Sequence, residues 1–323
     1  QGTDAIQAFA ILGKMKQEAL SHNTTIIVAG TIGASFAAWL LGATEVNPLP
    51  PHYICSECGN VEFVPDTSDG FDLPPKKCRC GQEFMRDGHN IPYEGYANAA
   101  RGGTYIEIRI SDNFRPVAVK ILLDFYNGVA EVLPVMVHGD DDSWCMERYV
   151  VLPEQKTKPV LADDGFWHIG SEEYWKWQEG ETTFSFLSSD QLNVIEKLKE
   201  ATGVYVPNLW DLITPQMADA LYQRRHGKLN FITKALTGEP HDFELLMRLD
   251  LLSHSTGAWM GNGEELIQTG KAKFRELPAA REDIFNLISN SLVKNGIRDN
   301  GLALLVMERT RKGLFCSRGM SED

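Results

Sequence analysis

Between Asp4 and Ser21, apolar side chains recur at Ile6, Phe9, Ala10, Leu12 and Leu20, the three-to-four spacing of one helical face. Ile26-Ile27-Val28 then reads as a short buried strand, and the glycine turn A-G-T-I-G-A-S leads into a second apolar helix over Phe36–Leu41. The proline-rich run Asn47–His52 closes that unit. Further on, Y-I-E-I-R-I (Tyr105–Ile110) alternates apolar and polar positions, the period of a half-buried strand, and Arg115-Pro116 opens a helix that runs to Tyr126. Val129–Val137 and Glu147–Leu152 predict two more strands. From Ser189 the period becomes helical, over Gln191–Ala201, Pro215–Arg225, Asn230–Leu236, Phe243–Leu251, Gly263–Ile267, Arg281–Asn290 and Asn300–Thr310. The pattern predicts a mixed α/β (α+β) body followed by a helical region, divided near residue 189, with no internal repeat.

At 323 residues and 43% hydrophobic content the chain is long enough to bury a substantial core. The longest apolar candidate, Ile26–Leu41, is broken by Gly30, Thr31, Gly33 and Ser35, so neither a membrane span nor a signal peptide is expected and a cytoplasmic location is. A formal net charge of -13 argues against a broad electropositive groove. Basic residues do gather at Arg224-Arg225, Lys271–Lys273 and Arg309–Lys312, and these read either as a local nucleic-acid surface or as solvated helix faces.

The strongest chemical signal is a pair of cysteine turns, Y-I-C-S-E-C-G and C-R-C-G-Q-E-F, which bring Cys55, Cys58, Cys78 and Cys80 together as four candidate thiolate ligands of one zinc ion. Gly59 and Gly81 each follow the second cysteine of a pair, where a tight turn aims backbone amides at the sulfurs. Four protein ligands leave no open coordination position, so the metal is expected to be structural. His52 and His89 flank the segment, and His89 reads as a hydrogen-bonding loop residue. Cys145 and Cys316 do not suggest a disulfide framework.

Weaker signals surround it. A strand, a glycine turn and a helix start at Gly30, Thr31, Gly33 and Ser35 suit either a phosphate cradle or close helix packing. His138 before G-D-D-D suggests a cation site or a solvated loop. Trp167, Trp175 and Trp177 lie in an acidic stretch, as base-stacking or packing residues.

Several ordered runs together resemble the α subunit of bacterial DNA polymerase III of the PolC type. They are E-V-N-P-L-P-P-H-Y-I-C-S-E-C (Glu45–Cys58), G-F-D-L-P (Gly70–Pro74), D-G-H-N-I-P-Y-E (Asp87–Glu94) and L-S-H-S-T-G-A-W-M-G-N-G-E-E-L-I-Q-T-G (Leu252–Gly270). The resemblance implies a nucleotidyltransferase-like mixed-sheet palm with an inserted zinc module and helical fingers and thumb. It divides the chain into a palm-like part with the glycine loop (1–50), the zinc module (51–95), the palm continuation (96–188) and a fingers-like region (189–323). It also implies that the Gly30–Ser35 loop meets a nucleotide triphosphate and that Ser253, His254, Thr256 and Asn262 lie near nucleotide and template.

The same resemblance exposes departures. The family arginine before the glycine loop is replaced by Ala29, and the metal-binding Asp-Ile-Asp triplet by Tyr105-Ile106-Glu107. The downstream family aspartate falls within F-S-F-L-S (Phe184–Ser188), and a glycine- and proline-bearing loop is replaced by D-D-S-W-C-M-E-R. Two-metal transfer needs short bridging carboxylates, so nucleotidyl transfer is expected to be lost, with Glu107 a vestigial position and no catalytic residue. The expectation is a pseudo-polymerase acting in DNA replication by binding primed or single-stranded DNA, nucleotide or replisome proteins. The alternatives are an active polymerase with a magnesium site rebuilt from Glu107, Asp112 or Glu131, and a regulator or phage-borne inhibitor that mimics part of a host polymerase. Zinc is the expected cofactor, and magnesium only for the active alternative.

Overall fold

The alternating segment Tyr105–Ile110 lies in the second strand of a six-stranded mixed sheet in the computed structural model of the chain, which describes residues 2–65, 67–93, 104–139, 145–152, 162–177, 181–205, 242–254 and 259–311. Its strands are β1 (Ile27–Ala29), β5 (Thr104–Ile110), β6 (Glu131–His138), β7 (Cys145–Leu152), β8 (Trp167–Gly170) and β9 (Thr182–Ser188), ordered β1-β5-β9-β7-β6-β8. β5 runs parallel to β9 and β6 to β8, and the other neighbours are antiparallel. Helices α1 (Gly2–Ser21) and α4 (Arg115–Tyr126) cover one face. Ile106, Ile108 and Ile110 of β5, with Phe184 and Phe186 of β9, point into that layer against Ile11, Leu12, Met15 and Leu122. The period of two therefore puts Tyr105, Glu107 and Arg109 on the opposite face.

The sequence pattern matches most of these elements within a few residues. The stretch 162–188 is where it falls short: β8, the helix α5 (Ser171–Trp177) and the full length of β9 are not among the elements the sequence pattern predicts. Trp167 packs at the edge of the small cluster formed by Leu133, Val135, Val137, Val150, Leu152, Ile169 and Tyr174. The helix α6 (Asp190–Thr202) is capped by Ser189, whose hydroxyl accepts from the Leu192 amide, and ends at Gly203 in the left-handed region. It is tied to the turn after α1, where Glu196 takes the Thr24 hydroxyl and the Lys199 ammonium, and Lys199 also donates to the Asn23 carbonyl at 2.7 Å.

By contact density the described chain forms two compact units, residues 1–47 with 96–208, and residues 48–95 with 209–323. The second holds a three-stranded antiparallel sheet, β3-β2-β4, of strands His52–Ile54 (β2), Val61–Phe63 (β3) and Met85–Asp87 (β4). Here the runs G-F-D-L-P and D-G-H-N-I-P meet. Gly70 donates to the Gly88 carbonyl at 2.7 Å, Asn90 to Leu49 at 3.0 Å and Ile91 to Pro48 at 2.9 Å, so incoming and outgoing strands are clasped together. A Cβ on Gly70 would lie 2.0 Å from the Asp87 carbonyl oxygen, and one on Gly88 2.4 Å from that of Pro50. The Asp72 carboxylate accepts from the Phe243 and Glu244 amides at 2.7 and 3.0 Å, capping the helix α7 (Phe243–His254). Gly70→Ala is expected to lower the melting temperature far more than Gly59→Ala. At Gly59 space is open and only the positive φ is penalised, at about 1 kcal/mol. Equal melting shifts in the two variants would count against a packing role for Gly70.

The remaining helices of this unit bury Leu245, Leu249, Leu252, Trp259, Phe274 and Leu277 in one cluster, and Phe285, Ala303 and Met307 in another. The latter joins α9 (Arg281–Lys294) to α10 (Asn300–Arg311), with the short α8 (Glu264–Gln268) preceding them. The expected helices over 215–225 and 230–236 lie outside the described residues. Among the described residues no helix is long and apolar enough to cross a membrane.

Candidate functional site

Two sets of side chains carry chemistry, one in each unit. In the second unit the two cysteine turns face each other. Cys55 closes its turn by accepting from Gly59 at 3.0 Å and donating to Asn60, and Cys78 does the same with Gly81 at 2.9 Å and Gln82 at 2.8 Å. Gly59 and Gly81 stand at φ 68° and 93°, a conformation that favours glycine. The result brings Cys55 Sγ to 3.5 Å from Cys80 Sγ and Cys58 Sγ to 3.5 Å from Cys78 Sγ, with all four sulfurs within 4.8 Å of one another. Four sulfurs at about 2.3 Å from one tetrahedral ion stand about 3.8 Å apart, so the spacing fits a metal. The C-x-C pair closes as well as the C-x-x-C pair.

Electrostatics point the same way. The backbone amide of Cys58 lowers the Cys55 thiol to about 7, whereas Cys80, despite the Gln82 amide, is pushed up to about 12 by the neighbouring thiols and burial. Four thiols this close cannot all ionise without a cation among them. His52 is no ligand: it is 2% exposed and its Nδ1 lies 2.8 Å from the Pro50 carbonyl. His89 is bound to Asp69 at 2.8 Å and packed edge-on against Phe71, the loop role its sequence suggests.

The second set lies on the sheet face opposite α1 and α4. The register places Glu107 beside Ser185, and the antiparallel pairing of β7 with β9 brings Arg148 next to Ser185. Arg148 Nη1 donates to Ser185 Oγ at 2.5 Å and its guanidinium lies 5.6 Å from the centroid of the Tyr105 ring. Tyr105 donates to Glu107 at 3.3 Å, and Arg109 Nε lies 3.5 Å from the same carboxylate. Burial raises the Tyr105 pKa, so its hydroxyl stays protonated. Tyr174 is buried on this face with Val150 and Leu152, and its pKa is likewise raised by burial. The centre of the face is thus a guanidinium, two hydroxyls and one carboxylate.

Glu107, Asp112 and Glu131 are not brought together. Glu131 is on β6, three strand spacings from β5 or about 14 Å, and Asp112 is taken up by Asn193 at 2.9 Å beyond the end of β5. Among the described residues the four cysteines are the one group of three or more such side chains close enough to hold a metal ion. Ser185 was visible in the sequence only as one of five positions, Phe184–Ser188, and its facing Glu107 singles it out. Arg148 carried no signal, being one residue in a polar run.

The glycine turn is a four-residue helical segment, α2 (Gly30–Gly33), followed by α3 (Phe36–Leu40). Gly30 has φ 71° in open space, Ile32 is in the core, and a Cβ on Gly33 would lie 2.4 Å from the Val28 carbonyl oxygen. Gly33 is thus required for packing, and its carbonyl accepts from Thr44 Oγ1 at 2.8 Å. Ser35 is buried at the start of α3. Of the fingers-like positions, Ser253 and His254 form the last residues of α7, Asn262 is exposed, and Thr256 lies outside the described residues. Lys271, Lys273 and Arg309 are exposed, while Arg224, Arg225 and Lys312 lie outside the described residues. Asp140–Asp142 also lie outside them, and His138 is joined instead to His168 at 2.9 Å, which in turn binds Asp164 at 2.8 Å.

No family model matches the chain. It is similar to the protein named DNA polymerase III PolC-type of Streptococcus thermophilus, 26% identical over 355 residues that take in 88% of this chain and 24% of that protein. The same holds for the proteins of that name from Streptococcus agalactiae, 26% identical over 363 residues with 91% and 24% covered, and Streptococcus pyogenes, 26% over 355 residues with 88% and 24% covered. The chain spans about a quarter of the length of the curated relatives it matches.

Proposed function

We propose that this chain, a divergent homologue of PolC-type DNA polymerase III, is a pseudo-polymerase that acts in DNA replication by binding rather than by nucleotidyl transfer. In this reading the six-stranded sheet is a nucleotidyltransferase-like palm, the segment 51–95 is a zinc module, and the later helices are fingers-like. Gly30, Thr31, Gly33 and Ser35 would meet the nucleotide triphosphate, and Ser253, His254, Thr256 and Asn262 would belong to the fingers-like part near nucleotide and template. Its ligands are primed DNA, nucleotide or replisome proteins. Cys55, Cys58, Cys78 and Cys80 would hold zinc, which supplies cross-linking of the two turns and no reaction step.

One observation carries the reading: the row Glu107, Ser185, Arg148 and the adjacent Tyr105 offers one carboxylate where two-metal phosphoryl transfer needs several converging on ions about 4 Å apart. A cation already stands in the row. The test is a primer-extension assay with magnesium or manganese, run beside salt-dependent binding of the same primed DNA. Binding without extension is the expected result. Metal-dependent incorporation that disappears in Glu107→Gln would overturn it.

A further inference from the structure

Arg148 is 7% exposed, yet its hydrogen bonds run to neutral acceptors: Ser185 Oγ at 2.5 Å, the Glu147 carbonyl at 3.1 Å and the Met146 thioether at 2.9 Å. Among the described residues no carboxylate stands within ion-pairing distance of it. The Glu147 carboxylate turns to Arg115 and Tyr149 on the other face, and that of Glu107 is held by Tyr105 and Arg109. A buried charge is costly unless an opposite charge meets it. The side of the fork at Nη2 is the least satisfied, because a thioether is a weak acceptor and an oxyanion bonds about twice as strongly as a neutral group. Met146 is 40% exposed on a flexible side chain, so an anion that reaches the guanidinium displaces a surface group and not a core residue.

We infer that Arg148 is the receptor of a metal-independent oxyanion site on this face, one that takes a phosphate-class group, free or on a nucleotide, in place of the Met146 sulfur. The ring of Tyr105 backs the guanidinium, and Arg109, with its side chain 55% exposed, adds positive charge along β5. Glu107 lies in the same row and opposes the anion, but its two partners offset it. A divalent ion is not required, since the resident cation supplies the charge. The inference rests on the reading above only for the choice of a nucleotide among the probes.

The test is calorimetric titration of the metal-loaded full chain, in buffer free of other divalent ions, with inorganic tripolyphosphate and with dATP. Binding that does not improve on adding magnesium is expected, weakened at least about tenfold in Arg148→Met and partly recovered in Arg148→Lys, which keeps the charge but not the fork. Equal affinities for the two probes assign the free phosphate, and preference for dATP assigns the nucleotide. In the unaltered chain the Arg148 Nε–H resonance shifts on adding tripolyphosphate, which decides the matter even where the Met variant fails to fold. No binding of either probe, binding that needs magnesium, or a resonance that stays in place overturns the inference. A chain that extends primers removes the pseudo-polymerase reading and leaves this test intact, whereas an inert chain that binds neither probe removes the inference alone.

Discussion

A chelator strong enough to strip a divalent ion from four thiolates is expected to unfold the segment from His52 to Asp87. The sheet β3-β2-β4 consists of strands of three residues each, too short to hold by pairing alone, and its apolar contribution is Tyr53, Leu73 and Phe84 around the buried Cys55 and Cys78. Structural zinc in comparable small modules supplies about 10–16 kcal/mol of apparent binding free energy at neutral pH, as much as a whole domain's typical stability of about 5–15 kcal/mol. Cys78→Ser, which removes a buried ligand, should therefore lose the metal and the amide-exchange protection of all three strands. The check is one equivalent of zinc released per chain to a colorimetric indicator, with cobalt substitution giving intense thiolate charge-transfer bands. A chain purified without metal whose strands stay protected in excess chelator would refute the assignment.

Installing aspartate at positions 105, 107 and 185 together is expected to leave this sheet face unable to bind manganese for as long as Arg148 remains. The four positions share one surface of three adjacent strands, so the new carboxylates would first engage the guanidinium. A single positive charge about 5 Å from a divalent ion, at an effective dielectric of about 20, opposes it by about 7 kcal/mol, close to five decades in affinity. Tyr105→Asp, Glu107→Asp and Ser185→Asp combined with Arg148→Ala should then bind manganese, read by loss of the free ion's paramagnetic resonance signal. If the triple variant binds as tightly as the quadruple one, Arg148 is not the obstacle.

What the sequence made legible follows from physical period. The alternation in Tyr105–Ile110 located β5 and told which face carries Glu107, because each even position is buried against α1 and α4. The cysteine turns were legible because ligand chemistry fixes residue type and spacing at once. Ser185 and Arg148 were not, since their juxtaposition depends on strand register between segments separated by 37 positions, and no local pattern encodes register. Likewise β8 and α5 are short and fall in an acidic, tryptophan-bearing stretch, where edge strands tolerate polar residues on both faces. In the glycine turn one residue type serves two purposes. Gly33 is demanded by the Val28 carbonyl, which composition cannot distinguish from a demand made by a ligand.

The clasp at Pro48–Leu49 and Asn90–Ile91 has a consequence for the order of events during synthesis. It closes a ring of about forty residues whose metal ligands and strands are all internal, so its loop-closure cost is modest. It can therefore be complete before residue 243 leaves the ribosome, since emerging segments fold in sequence. When α7 does emerge, the Asp72 carboxylate is already fixed where the helix must begin. A segment made early thus acts as the starting block for a helix made 171 positions later, and metal supply during translation sets when that block is ready.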